Sequence, residues 1–523
     1  KILVLFILVL VFSEGLTSEL DEIKQLYKIS NLLKTGQISL EEFSAEVNSN
    51  SIKSPMEQYN LNRKNLIDED RSKHFTVDVQ ELTSDEQKVE KILNDFKEKL
   101  VYEDHSPLLL DFYDGQKLIK DGELHNTFKT MPKGGHMHVH IEASVSMNTF
   151  IGFTYVDYVY YNMETNELKT APKGVSDSGF VKCNELRKNW NQETSFDEYL
   201  IASLYLQAAE IESQESHEIW KGFQNKFTLN DAVIHYYKFY REALIAYYKQ
   251  AVSEGVSIIE LRHASGILFD DDHKFLSLKE EYDLYQSVID EIKEETPHFE
   301  LKLIVVAFKL AGREHFKFQL ESYQYAMDKG YDFITGFDLV NEEDYSDAIY
   351  EYVEDMLLAK EKYPDFNFFF HSGETSSRSN ENLYDAILLG TKRIGHGIGL
   401  VLHPHLVDLV RERQIGYEIC PISNFILGYT LDMRWHPARQ LMAQGVPVTI
   451  SSDDPTFWKY QGISLDFTYA YLAWQLDLKD VKQLAINSIK HSSVQENLKP
   501  NLFKKFEEDW SKWIKETLKS IKN

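Results

Sequence analysis

Cysteine is almost absent: Cys183 and Cys420 are the two in 523 residues. Neither a disulfide framework nor a Cys-X-X-Cys metal clamp can be built from that pair. Cys420 ends the apolar run 416–419 and is expected to be a small buried hydrophobe rather than half of a bridge. No Asn-X-Ser/Thr glycosylation sequence occurs. Positive charge is also short, with 56 Lys and Arg against 83 Asp and Glu for a formal net charge of −27. A phosphate backbone or an anionic membrane surface is repelled by such a chain, so nucleic acid is not an expected partner, although a small nucleoside can still enter a local pocket. Long hydrophobic runs are limited to residues 2–12, behind Lys1. That run is too short to span a bilayer comfortably and reads as a secretory signal peptide over 1–18, which implies an extracellular protein with no stable membrane anchor.

What the chain does have is 43% hydrophobic and 13% aromatic residues, enough for a large core and more than one structural unit. Residues 19–110 read as a helical front module. Ile23, Leu26, Tyr27, Ile29 and Leu33 recur at near-helical spacing, the polar stretch 48–55 reads as a loop, and a second amphipathic run covers 86–100 behind a capping box at Ser84 to Gln87. From 111 to 523 strand-like and helix-like runs alternate. Strands are expected at 136–141, 256–262, 301–308, 332–339, 366–371, 393–397, 416–420 and 446–452, an α/β pattern of eight βα units that fits a TIM (β/α)8 barrel. An insertion at about 153–199, rich in Tyr, Asn, Lys and Ser, follows the first strand and is expected to extend the active-site end.

Four polar motifs stand where these apolar runs stop: His138-Val139-His140, His371-Ser372-Gly373-Glu374, Gly395-His396-Gly397 and Ser452-Asp453-Asp454. Barrels of this kind collect chemistry at the C-terminal ends of their strands. Alternate strand side chains share a face, so His138 and His140 can hold one metal ion, with His136 leaving the register open. His371 can supply a third ligand and Glu374 a nearby carboxyl. His396, between two glycines, suits general-base work or the orientation of a water. Of the adjacent Asp453 and Asp454, one can sit on a metal while its neighbour holds the substrate. Taken singly each motif has a bland reading, as a core histidine or a turn.

In chain order, residues from about 132 to 498 resemble the adenosine deaminase family of metal-dependent hydrolases, and most nearly its secreted branch, the adenosine deaminase-related growth factors. The resemblance rests on Met131-Pro132-Lys133 before His138-Val139-His140, Gly336-Phe337-Asp338-Leu339-Val340, His371-Ser372-Gly373-Glu374-Thr375, Arg393-Ile394-Gly395-His396-Gly397, Cys420-Pro421-Ile422-Ser423-Asn424 and Ser451-Ser452-Asp453-Asp454-Pro455. It implies Zn2+ held by His138, His140, His371 and Asp453, and hydrolytic deamination of adenosine and 2′-deoxyadenosine. His396 would take or steer the water proton, Glu374 would protonate ring N1, and Asp454 would hold N7. The front module would mediate a homodimer. Trp220, His235 and Arg262 line the pocket by weaker similarity. Three places depart from the family: Ile141 and Glu142 replace a ribose-binding aspartate, with Glu142 as the stand-in; Asn341 replaces a glycine, where its side chain is expected to crowd the base; and His371-Ser372 replaces the commoner His-Ala. These changes also suit a rival reading, a secreted growth-factor-like binding protein that has kept the fold and lost or altered its deaminase activity.

Overall fold

In the computed structural model, residues 55–72, 81–102, 106–211 and 215–520 are described, with isolated positions between 28 and 39 and between 75 and 79. The expected signal peptide, and most of the first helical run and polar loop, lie outside them. Two compact units divide at His74. The first, Lys1–His74, contains helix α1 (Pro55–Ser72), and the second is Phe75–Asn523. Helix α2 (Ser84–Tyr102), read from the sequence as part of the front module, therefore belongs by its packing to the second unit. Its apolar face, Val89 and Leu93, is buried, and Glu86 accepts a 2.8 Å hydrogen bond from Trp510 of the last helix. The capping box falls one residue earlier than expected: Thr83 donates its amide and hydroxyl to Glu86, and the Glu86 amide donates to Thr83 Oγ1.

Eight parallel strands form the barrel. They are β1 (Gly134–His140), β5 (Val256–His263), β6 (Glu300–Phe308), β7 (Ile334–Val340), β8 (Phe369–Ser372), β9 (Arg393–His396), β10 (Gly416–Ile419) and β11 (Val448–Ile450). Each expected strand is there, shifted by at most three residues. Most of their residues are buried, which is why they read as apolar runs rather than alternating ones. They pair in chain order as two half-sheets, β1-β5-β6-β7 and β8-β9-β10-β11. The halves meet at both edges. Phe337 N–H donates to Asn367 O at 3.0 Å on one side, and on the other Asp453 N–H donates to His138 O at 3.2 Å and His140 N–H to Asp453 O at 3.3 Å.

The insertion is not merely loop. It holds a three-stranded antiparallel sheet, β2 (Val159–Asn162), β3 (Glu167–Thr170) and β4 (Phe180–Lys182), ordered β3-β2-β4. Its hairpin turns because Asn162 Oδ1 accepts the amides of Glu164 and Thr165 and Asn166 takes a positive φ of 56°. Beyond it, helix α3 (Ser216–Ile234) leads back to the barrel and packs on β3.

Candidate active site

At the C-terminal end of the barrel, one nitrogen from each of His138, His140 and His371 and an oxygen of Asp453 lie within 4.8 Å of one another. Partners fix which nitrogen faces inward. His138 Nδ1 donates to Glu418 at 2.8 Å and His371 Nδ1 to Asp338 at 2.7 Å, so both Nε2 atoms present lone pairs, only 2.9 Å apart. Asp453 Oδ1, 3.4 Å from Nε2 of both His138 and His140, is buried without a hydrogen-bond partner. Three lone-pair donors and an orphaned carboxylate oxygen converging on one point fit a divalent cation. His136, on the same strand face, is spoken for: it is 2.6 Å from the Tyr247 hydroxyl and accepts the Ser452 amide, and burial first, then His138, holds its pKa down at about 3. Both cysteines are free and buried, and burial pushes the Cys420 thiol well up, so it remains a neutral neighbour of the cluster.

The two carboxylates that orient the histidines share one cation. Arg262, fully buried, reaches Asp338 at 3.3 Å and Glu418 at 2.6 Å; Arg393 pairs with Glu418 and Glu260 beneath them. Arg262, expected at the pocket wall, touches the cavity while spending its guanidinium on this scaffold.

Glu374 is 3% exposed. Its loop is held by Glu343, whose carboxylate accepts the amides of Gly373 and Glu374 at 2.8 and 2.7 Å. Burial above all, then the charges of Asp453 and Glu343, push the Glu374 carboxyl well above its usual range, a shift that favours the proton-bearing form an acid needs. His396 stands 3.6 Å from it, and a relay sets its tautomer. The Ala438 amide donates to His436 Nδ1 (3.1 Å), so His436 Nε2 donates to Asn424 Oδ1 (3.2 Å) and Asn424 Nδ2 to His396 Nδ1 (3.0 Å). With both rings kept neutral by burial, the His396 proton sits on Nε2, facing Asp453 Oδ2 at 3.7 Å. His396 thus enters the site as a hydrogen-bond donor. Burial, then the charge of Asp453, push the carboxyl of Asp454, 2% exposed, well above its usual range, and its Oδ1 has no hydrogen-bond partner. His396, Asp453 and Asn341 are non-glycine residues at positive φ (58°, 62° and 106°). Strain of this kind persists where the surroundings impose it, and it clusters at functional sites.

These groups open into one cavity of about 540 Å³ lined by His140, His371, Asp453, Glu374, His396 and Asp454. The substrate-wall residues expected from the sequence, Glu142, Asn341, Trp220 and His235, line it too. Trp220 donates to the Tyr429 hydroxyl, and Glu142 stands 3.4 Å from His235. The Asn341 side chain is tied back, its Oδ1 accepting the Leu310 amide at 3.1 Å. Sequence reasoning gave no role to Asp338, Glu343, Glu418, Asn424, His436 or Asp231. A carboxylate inside a buried strand, as at Asp338 and Glu418, was the available signal. Close packing matters as well: a Cβ on Gly395 would lie 3.0 Å from His138 Cε1 and 3.2 Å from Nδ1. Gly395→Ala is therefore expected to tilt that ring and weaken metal binding about tenfold, read by competition with a chelator.

Residues 204–509 match the family model named adenosine deaminase. The chain belongs to the adenosine deaminase family. It is an enzyme of the deaminase class. It is 33% identical to an adenosine deaminase of Phlebotomus duboscqi over 76% of this chain and 80% of that one. It is also 31% identical to adenosine deaminase 2 of Dictyostelium discoideum, over 91% and 90%. Its fold is similar to an amidohydrolase from Burkholderia ambifaria solved with bound zinc (TM-score 0.55, 15% identity, 76% of this chain and 95% of that one). That likeness confirms the barrel class. Membership in the family implies deamination of adenosine.

Proposed function

We propose that the chain hydrolyses adenosine and 2′-deoxyadenosine to the corresponding inosine nucleoside and ammonia, with zinc held by His138, His140, His371 and Asp453. The observation that carries this reading is the buried Glu374 carboxyl beside a three-histidine, one-aspartate cluster inside a nucleoside-sized cavity. Zinc, when bound, supplies a Lewis acid that makes hydroxide available near neutral pH. His396 steers the attacking oxygen toward purine C6 with its Nε2–H. Glu374 gives its proton to ring N1, which weakens the ring's aromaticity so that the C6 amine can leave. Asp454, as a neutral carboxyl, donates to N7 and fixes the ring. The amino group leaves as ammonia after taking up the water's second proton, and the first water proton returns to the Glu374 carboxylate, which ends the cycle protonated as it began. Trp220, Glu142, His235 and Asn341 shape the remaining wall. The expected leader at 1–18 supports an extracellular place, and among the described residues no helix is long and apolar enough to cross a membrane. Met56, Tyr59 and Leu66, which α1 leaves exposed at near-helical spacing, support a homodimer through the front module.

The test is zinc content measured together with adenosine turnover on the purified protein. One zinc per chain, with turnover lost to a chelator and restored by zinc, is the expected result. Bound zinc with no turnover of any aminopurine nucleoside would replace this reading with the binding-protein alternative.

A further inference from the structure

A fully buried carboxyl lies behind the site, and the chemistry proposed above makes no use of it. Helix α4 (Ser464–Ala473) is buried along its whole length, and Asp466 stands in its first turn among apolar residues, wholly shielded from solvent. The start of the helix is fixed: Glu254 accepts the amides of Ile463 and Ser464 at 3.1 and 3.0 Å. Among the described residues the Asp466 side chain has two hydrogen bonds and no ion pair. Its Oδ2 is 2.7 Å from the Tyr460 hydroxyl, and its Oδ1 accepts the Ile422 amide at 3.4 Å. An acidic side chain held in such a place without a cation is costly, and its two neighbours show what it connects.

Those neighbours belong to two different loops of the site. Ile422 lies in the short helix Pro421–Ile426, next to Ser423, whose hydroxyl donates to Asp453 Oδ2 at 2.9 Å, and Asn424, which donates to His396. Tyr460 ends the loop that follows β11. Its amide donates to Pro455 O at 3.0 Å and its hydroxyl stands 3.4 Å from Ser452 O, so it holds the residues on either side of Asp453 and Asp454. Within that loop Asp453 and Lys459 keep positive φ (62° and 61°), a strain that persists only where the surroundings impose it. Asp466 thus joins the two loops from behind. The Tyr460 phenol has one proton and two acceptors within reach. A proton on the Asp466 carboxyl resolves this, because the acid then donates to the phenol oxygen and the phenol to Ser452 O. Burial pushes the Asp466 carboxyl well above its usual range, against the opposing bonds from Tyr460 and the Ile422 amide. The shift runs in the direction that pattern requires.

We propose that Asp466 is a positioning residue for the deamination, which by hydrogen bonding rather than by charge locks the loop of Asp453 and Asp454 to the turn that carries Ser423 and Asn424. This rests on the deaminase reading above. The experiment measures kcat and KM for adenosine, zinc content and Tm in the wild type, Asp466→Asn, Asp466→Leu and Tyr460→Phe. Asp466→Leu is expected to lower kcat/KM per bound zinc about tenfold to a hundredfold, the scale for losing a group that orients a metal site from behind, chiefly through kcat because the reacting groups lose their register. Asp466→Asn is expected to stay within about threefold of the wild type, since its amide still accepts from Ile422 and donates to the phenol. Tyr460→Phe deletes one oxygen and is expected to lower kcat/KM about three- to tenfold; it carries the test should the leucine variant not fold. A leucine variant that loses Tm yet keeps wild-type kcat/KM per bound zinc would make Asp466 purely structural, and an asparagine variant as impaired as the leucine one would make its charge the active element. Either result, or a Tyr460→Phe variant with unchanged kcat/KM, overturns the proposal and leaves the deaminase reading in place. A wild type without adenosine turnover removes both.

Discussion

Glu374→Gln is expected to leave metal content and Tm unchanged and to lower kcat about 10²- to 10⁴-fold, the usual contribution of a positioned acid. Glutamine keeps the shape of the side chain, and the two amides that anchor the loop go to Glu343 rather than to Glu374, so the loop should hold. What disappears is the proton. Burial, with the charges of Asp453 and Glu343 behind it, keeps that proton on the wild-type carboxyl well above the usual carboxylate range. The required form is the protonated one, so wild-type activity falls as pH rises through this raised pKa; the residual activity of the variant should lack that alkaline limb. Steady-state kinetics across pH, with metal analysis, checks both parts. A variant that keeps near-normal kcat would assign the acid to another group.

Arg262→Met is expected to destabilise the fold by about 3–5 kcal/mol, the scale for removing one partner from a buried ionic pair. The arginine is fully buried between Asp338 and Glu418, each of which also accepts from a histidine Nδ1. Without it, those carboxylates lose the charge that holds them ionised, and protonation of either one removes its histidine's anchor. Metal affinity is therefore expected to fall about 10- to 100-fold along with stability. Denaturant unfolding and chelator competition on the same preparation measure the two effects. A variant that loses stability and keeps its metal affinity would show that the histidines do not depend on this cation.

The barrel was legible because buried parallel strands advertise themselves as apolar runs, and the residues that interrupt those runs, His138, His140, His371, His396 and Asp453, are the ones the fold brings together. Supporting groups were harder to read. Asp338 and Glu418 are single acidic residues whose meaning depends on Arg262, 76 and 156 positions away. Asp231 carries no local signature, and it lines the cavity only because α3 runs along it. The tautomer of His396 is set through Asn424 and His436 by the Ala438 amide, a chain of contacts with no local signature. The insertion sheet was hidden for another reason: strands of three and four residues are too short to show a period.

Where β1 meets the residue after β11, the barrel closes without a paired last strand. Two backbone hydrogen bonds cross there through Asp453, and the amides of Met137 and His138 turn to the Ser451 hydroxyl instead of to a neighbouring strand. His138 and His140 stand on one side of that junction and Asp453 on the other. A cation held between them is a clasp joining the first and last staves of the barrel. On the zinc reading proposed above, loading the centre and fastening the ring would be coupled, so an ion bound there would also stabilise the closed barrel.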